Sequence, residues 1–344
     1  ANYNGDQMAA ELNMQSKHSL EKAAAWNADS FTTVSDVTAR EAEQLLDKKP
    51  DVVTPNGFEL NFVPGKIKYA AARRSAREVM LRVASTLTGL EFPEDTFIVA
   101  TSGRCEYRNK GIDMYLDALS RLSSAGIKRR ILAFVMVPAW CAGPRTDLHH
   151  SLVMEERSRL ADPMLTHNLH NYSDDPVNRR IHDLGFANDA ASNVSLIYVP
   201  CYLDGADGIF NLSYYNILPG LDATVFASYY EPWGYTPLES IAFGVPTITT
   251  DLAGFGMWVE EECEPGFATS GVSVVHRDDS NYEAACSSIV EDLKSLIGLN
   301  TNDMILCRKA AFETAKRAQW TDFIAYYDNA YCLAFEHRDN RLLK

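Results

Sequence analysis

No stretch of the sequence approaches the roughly 20 consecutive apolar residues of a membrane span, and no signal peptide is expected. Positive charge is in short supply: 32 Lys and Arg face 46 Asp and Glu, a formal net charge of −14. That balance argues against nucleic acid or an anionic membrane as the main partner. The seven cysteines include no Cys-x-x-Cys pair and leave an odd one over, which points to a reducing, cytoplasmic compartment rather than a disulfide framework. An Asp-x-Asp motif, a Walker-type phosphate loop and a readable Ser/His/Asp or Cys/His triad are all missing. His149-His150 and His167-x-x-His170 stand without a cysteine or carboxylate arrangement that forces a metal site. No metal and no cofactor are expected.

What is present is an ordinary globular composition, 46% apolar and 23% charged over 344 residues, enough for a sizeable core and two domains. Apolar runs alternate with amphipathic stretches. Helices are predicted over 19–28, 35–46, 67–87, 111–124 and 210–218, with two or three more beyond 281. Strands are predicted over 30–34, 51–54, 96–101, 130–138, 194–200, 223–228, 245–250 and 272–275. Residues 140–190 read as an irregular excursion with one short helix, and 1–20 give no pattern. Strands alternating with helices predict an α/β fold, a doubly wound parallel sheet of Rossmann-like type with helices on both faces.

The stretch between the runs 223–228 and 245–250 carries the densest chemistry: Glu231-Pro-Trp-Gly-Tyr235-Thr236-Pro237-Leu-Glu239. Thr236 as N-cap, Pro237 as first helical residue and Glu239 as capping-box partner predict a helix start there. A helix N-terminus after a strand is an anion site, and ligands of such sheets sit at the carboxyl ends of the strands. Two other segments reach that edge: Gly103-Arg104…Lys110 and Gly254-Phe255-Gly256. Arg104 and Lys110 suit the charge of a departing diphosphate without a metal. They also suit plain surface pairing with Glu106. Glu231 and Glu239, with seven residues between them, could form an acid/base pair, but the capping position of Glu239 favours Glu231 alone as the residue facing the reacting group. Tyr214 and Tyr215 lie on a helix leading to the loop, where an aromatic serves a core or stacks on a base.

Together these residues resemble the family 3 retaining glycosyltransferases, the glycogen synthases of animals and fungi with some bacterial relatives. The likeness rests on Tyr229-Tyr-Glu231-Pro-Trp-Gly-Tyr-Thr-Pro-Leu-Glu239, Gly103-Arg104-Cys-Glu-Tyr-Arg-Asn-Lys110-Gly111, Phe31-Thr-Thr-Val-Ser35 with Glu41-Ala-Glu-Gln-Leu-Leu46, Thr54-Pro-Asn-Gly57, Thr166-His-Asn168 and Gly254-Phe-Gly256. It spans residues 18 to 260 and fades after 270. The resemblance implies a GT-B fold and metal-independent transfer of glucose from UDP-glucose to the 4-hydroxyl of an α-1,4-glucan (glycogen), with retention. It implies that Arg104 and Lys110 hold the diphosphate and that Glu231 sits beside the glucose. Glu239 would bind ribose, Tyr214 would stack on uracil, Thr236 with the helix behind it would meet the phosphates, Tyr235 would bind substrate, and Gly254, Phe255 and Gly256 would line the donor.

Departures accompany the likeness. Lys22 stands where the family places an acceptor-side Arg, and His18 is out of step with the family's cleft histidine. The helix that binds glucose 6-phosphate in eukaryotic members offers only Arg308, Lys309, Lys316 and Arg317, so no strong activation by that ligand is expected. The family's glycine-rich, Lys-bearing N-terminal loop has no counterpart, and the sequence opens at Ala1 in mid-pattern. Residues 1–62 therefore read as the tail of an N-terminal acceptor-side domain, 63–300 as the nucleotide-sugar domain with its excursion at about 140–190, and 301–344 as C-terminal helices. A donor-binding piece of a longer enzyme, without turnover of its own, is the expectation. A nucleotide-sugar-binding module and a GT-B enzyme using ADP-glucose are the alternatives; a homo-oligomer is compatible with each.

Overall fold

The structure is a computed structural model and describes residues 3–343. Its centre is a six-stranded parallel sheet built from β3 (Phe97–Ser102), β4 (Ile131–Met136), β7 (Val194–Val199), β8 (Ala223–Val225), β9 (Thr247–Thr250) and β10 (Val272–Val275). Spatial order is β10-β9-β8-β3-β4-β7, so the chain builds outward from β3 to one edge and then returns to build the other half from β8. The switch in direction falls between β3 and β8. Strand residues alternate between two cores: Ile98, Ala100, Leu132 and Phe134 face one, and Phe97, Val99, Ile131 and Ala133 face the other. Burial on both faces is why these strands read as continuous apolar runs.

Helices cover both faces. On one side lie α4 (Lys66–Thr88), α9 (Tyr235–Ala242), α10 (Gly254–Glu262) and α12 (Thr301–Arg317). On the other are α5 (Ile112–Ser123), α7 (Pro176–Asp183) and α11 (Tyr282–Gly298). The doubly wound reading of the sequence is borne out.

Residues 140–190 differ from expectation. They hold an antiparallel pair, β5 (Cys141–Pro144) with β6 (His167–Leu169), besides α6 (Thr146–Val153) and α7. Leu148, Leu169, Val177 and Ile181 are buried, so the segment is the crossover from β4 to β7 and part of the core. Asp175 caps α7 by accepting from Asn178 N (2.8 Å), with Pro176 at the first turn. The helix start was written in the sequence, but widely spaced apolar residues hid the rest.

The first unit contains α1 (Gly5–Glu11), α2 (Gln15–Asn27) and α3 (Asp36–Leu46), with a two-stranded parallel ladder of β1 (Thr32–Thr33) and β2 (Val52–Val53). The predicted cap of α3 is present: Ser35 and Thr38 form a reciprocal capping box. Helix α8 (Tyr214–Ile217) is a single turn, shorter than predicted, because Asn211 takes a positive φ (+51°) and Ser213 caps the helix, so it starts four residues late; Leu218–Gly220 then forms a 3-10 turn. The final helix, α13 (Trp320–Leu342), and the link before it turn back onto the first unit, with Phe58 N donating to Ala318 O (2.9 Å) in the link and Tyr327 Oη of the helix donating to Thr54 O (3.3 Å).

Candidate active site

At the carboxyl ends of β3 and β8 the chain leaves a cleft of about 240 Å³ lined by Gly103, Arg104, Lys110, Glu231, Tyr235 and Thr236, with Ser102, Phe226 and Ser228 at its floor. Two of the three sequence segments thus meet at the switch point, where an open α/β sheet parts its helices and leaves room for a ligand. Lys110 and Glu231 form an ion pair across the cleft, their side chains only 12% and 20% exposed. Lys110 is pressed into place by Gly111, whose φ is +66° and where an added Cβ would lie 1.7 Å from Ala227 O. Only glycine fits that contact.

Arg104 stands at the rim, 74% exposed, and pairs with Glu106 at 3.2 Å. An exposed pair of this kind contributes little to stability, so the guanidinium can leave it for a stronger anion. Helix α9 starts beside these cations. Its N-cap is Gly234, and no side chain caps it. The predicted capping box is therefore absent: Thr236 is the second helical residue, not the cap, and Pro237 occupies the third position. The reason is Gly234, whose φ of +114° moves the helix start forward by two residues. The uncapped N–H groups of Tyr235 and Thr236 open at the cleft.

Glu239, freed from any capping role, accepts a hydrogen bond from Tyr215 Oη (2.8 Å). Burial pushes its carboxyl up from the ordinary glutamate range, and the Tyr215 hydroxyl offsets part of that. Tyr214 borders the cleft through its hydroxyl, 2.7 Å from Ser102 Oγ. Burial also raises the Tyr214 phenol, so it stays protonated and neutral.

The loop that holds Glu231 is fixed from behind by the Gly254-Phe255-Gly256 turn. Gly254 N donates to Glu231 O (3.0 Å) and Phe255 N to Trp233 O (2.7 Å). A Cβ at Gly254 would lie 2.4 Å from Pro232 O, and the Phe255 ring is fully buried against Trp233 and Trp258. This turn, expected to line the donor, spends its first two N–H groups on protein and positions the loop. Lys22, the acceptor-side candidate, is held within the first unit by Asp6 (2.9 Å) and Asp47 (2.6 Å).

Sequence reasoning missed Arg277. Its Nη1 donates to Ala227 O and its guanidinium lies over the Tyr229 ring (5.3 Å), closing the loop on the side away from Glu231. Position just past the end of β10 was the one available signal. Tyr230 Oη donates to Glu41 (2.6 Å), so α3 of the first unit also steadies the loop.

Solved structures with this architecture place the chain in a fold class, the GT-B fold. Sucrose-phosphate synthase from Thermosynechococcus elongatus is similar over 94% of this chain and 62% of its own, with a TM-score of 0.55 at 17% identity. Anabaena HepE, solved in complex with UDP-glucose, is similar over 96% of this chain and 70% of its own, with a TM-score of 0.56 at 15% identity. Sequence narrows the class: the chain belongs to the glycogen synthase family, which it matches over residues 1–147 and 143–340. The Neurospora crassa glycogen [starch] synthase is 29% identical over 348 residues, covering 83% of this chain and 49% of that protein. The human liver glycogen [starch] synthase is 27% identical over 389 residues, covering 95% and 54%. The chain spans about half the length of the curated relatives it matches.

Proposed function

We propose that the chain carries the donor site and reacting groups of a glycogen (starch) synthase. The reaction is transfer of glucose from UDP-glucose to the 4-hydroxyl of an α-1,4-glucan, with retention and without a metal at the reacting centre. The observation that carries this reading is the Lys110–Glu231 ion pair in the switch-point cleft, beside the open start of α9. The chain's membership of the glycogen synthase family supports it, as does a GT-B neighbour that binds UDP-glucose.

Each group has a task in that reaction. The N–H groups of Tyr235 and Thr236 and the Lys110 ammonium receive the diphosphate, and Arg104 swings from Glu106 onto its outer oxygens. Their fixed positive charge grows more favourable as the bond to the sugar breaks and the phosphate gains charge. Glu231 stabilises the positive charge that develops on the glucose ring. With no second base in the cleft, the leaving phosphate takes the proton of the acceptor hydroxyl on the same face, which preserves configuration. Glu239 accepts from the ribose hydroxyls, and Tyr214 stacks on the uracil. The seven free cysteines support a reducing, cytoplasmic setting, and no described helix is long and apolar enough to cross a membrane.

Calorimetric titration with UDP tests the reading. Arg104→Ala should weaken binding by about 1.5–3 kcal/mol, the range for a hydrogen bond to a charged group. Equal binding by wild type and variant would remove Arg104 from the donor site. Titrating ADP in parallel decides the nucleotide: tighter ADP binding would move the donor to ADP-glucose. Transfer of labelled glucose onto glycogen separates an enzyme from a binding module.

A further inference from the structure

A cluster outside the cleft joins three residue types that bind metals. His167 on β6, Cys201 just after β7 and Asp207 in the following loop bring one ligand atom each to within 4.8 Å of the others. The His167 and Asp207 side chains are 1% and 0% exposed, and His167 Nε2 lies 3.8 Å from Asp207 Oδ1. We propose that His167, Cys201 and Asp207 bind a zinc ion, with the fourth corner open to water.

Ligand geometry supports this. Zn–N and Zn–O bonds of about 2.0–2.2 Å and a Zn–S bond of about 2.3 Å give tetrahedral edges of roughly 3.3–3.7 Å. The His167–Asp207 edge already sits near that value, and the sulfur needs to close by about 1 Å at most. A mixed nitrogen, sulfur and carboxylate set suits zinc rather than magnesium or calcium, which take oxygen ligands.

The surroundings of each ligand are those a metal site needs. His167 Nδ1 lies 2.9 Å from Thr166 Oγ1, which in turn donates to Tyr198 O (3.2 Å). Nε2 itself donates to Asp207 O (3.0 Å); zinc would displace that bond, the proton shifting to Nδ1, where the Thr166–Tyr198 relay holds it while the Nε2 lone pair turns to the metal. Asp207 Oδ1, the oxygen near His167, accepts from Ile209 N (3.0 Å) and Phe210 N (2.8 Å), and Oδ2 accepts from Asn211 N (2.8 Å), so zinc at Oδ1 would take the place of one of those two N–H groups. The thiol proton of Cys201 leaves to solvent as the Zn–S bond forms, so Zn²⁺ with one thiolate and one carboxylate makes a neutral buried unit. Cys201 is half-exposed, which gives the ion a route in. The ion would fasten the β5–β6 hairpin to the loop that leads into Tyr214.

The test uses the whole chain. After chelation and dialysis it is titrated with Co²⁺, and zinc content is measured after reloading. The expected result is one zinc per chain and a tetrahedral cobalt spectrum with a thiolate-to-cobalt charge-transfer band, both lost in Cys201→Ser and kept in Cys332→Ser. Zinc should also slow alkylation of Cys201 in the wild type by at least about tenfold and leave the exposed Cys332 unchanged. That readout holds even if the Cys201 variant folds poorly. No thiolate band, or Cys201 alkylated equally fast with and without zinc, overturns the proposal.

Discussion

Glu231 meets a lysine; Glu239 meets a tyrosine hydroxyl and an apolar wall. Two residues alike in sequence thus hold charge for different reasons. Because burial raises the Glu239 carboxyl, the folded chain keeps its proton to higher pH than the unfolded chain does. Glu239 therefore contributes stability below its unfolded value, and this is lost as pH rises through the raised one. Glu239→Gln keeps an acceptor for Tyr215 and removes the buried charge. Its melting temperature at pH 7 should rise above wild type while its UDP affinity falls, and thermal shift with and without UDP reads both. Glu231 was legible in the sequence because a carboxylate in a strand-to-helix loop has few structural uses. Glu239 was misplaced because cap arithmetic cannot see that Gly234 takes a positive φ and starts the helix early.

Among the elements, the strongest tie is Asp222, at the entry to β8. It is 3% exposed, accepts from Arg73 (2.6 Å) and Arg77 (2.9 Å) on α4 and Arg308 (3.1 Å) on α12, and also receives Ile98 N (2.9 Å) from β3. Burial opposes its charge, but the three guanidiniums win and hold its carboxyl below the usual aspartate range. Its contribution is complete above that range and is lost only as pH falls through the depressed value. Asp222→Ala leaves three cations around an empty place and should cost about 3–5 kcal/mol in urea unfolding at pH 7. Nothing in the sequence marked Asp222, since its partners lie 149, 145 and 86 residues away. The Gly254 turn is the second tie. Gly254→Ala drives a methyl to 2.4 Å from Pro232 O, so it should shift the Glu231 loop and weaken UDP binding, measurable by the same calorimetry. Strands and long helices were readable from apolar periodicity. The ladder of β1 and β2, two residues each, leaves too short a pattern to read.

For the molecule as a whole, the sequence told that a parallel sheet exists but not its order. Val99 pairs with Ala223 across 124 residues, and no local pattern encodes that distance. Yet the switch point it creates is what brings Arg104, Lys110 and Glu231 together. The first unit also reaches the site, through Glu41 to Tyr230 and through Ser35 against Gly254, and α13 ties that unit back to the sheet domain. Hydrogen exchange read by mass spectrometry, with and without UDP, tests most directly whether the switch-point cleft is the donor site. UDP should slow exchange of the amides at 103–110 and 235–236 more than any others. Protection confined to other surfaces, with these amides unchanged, would contradict the account.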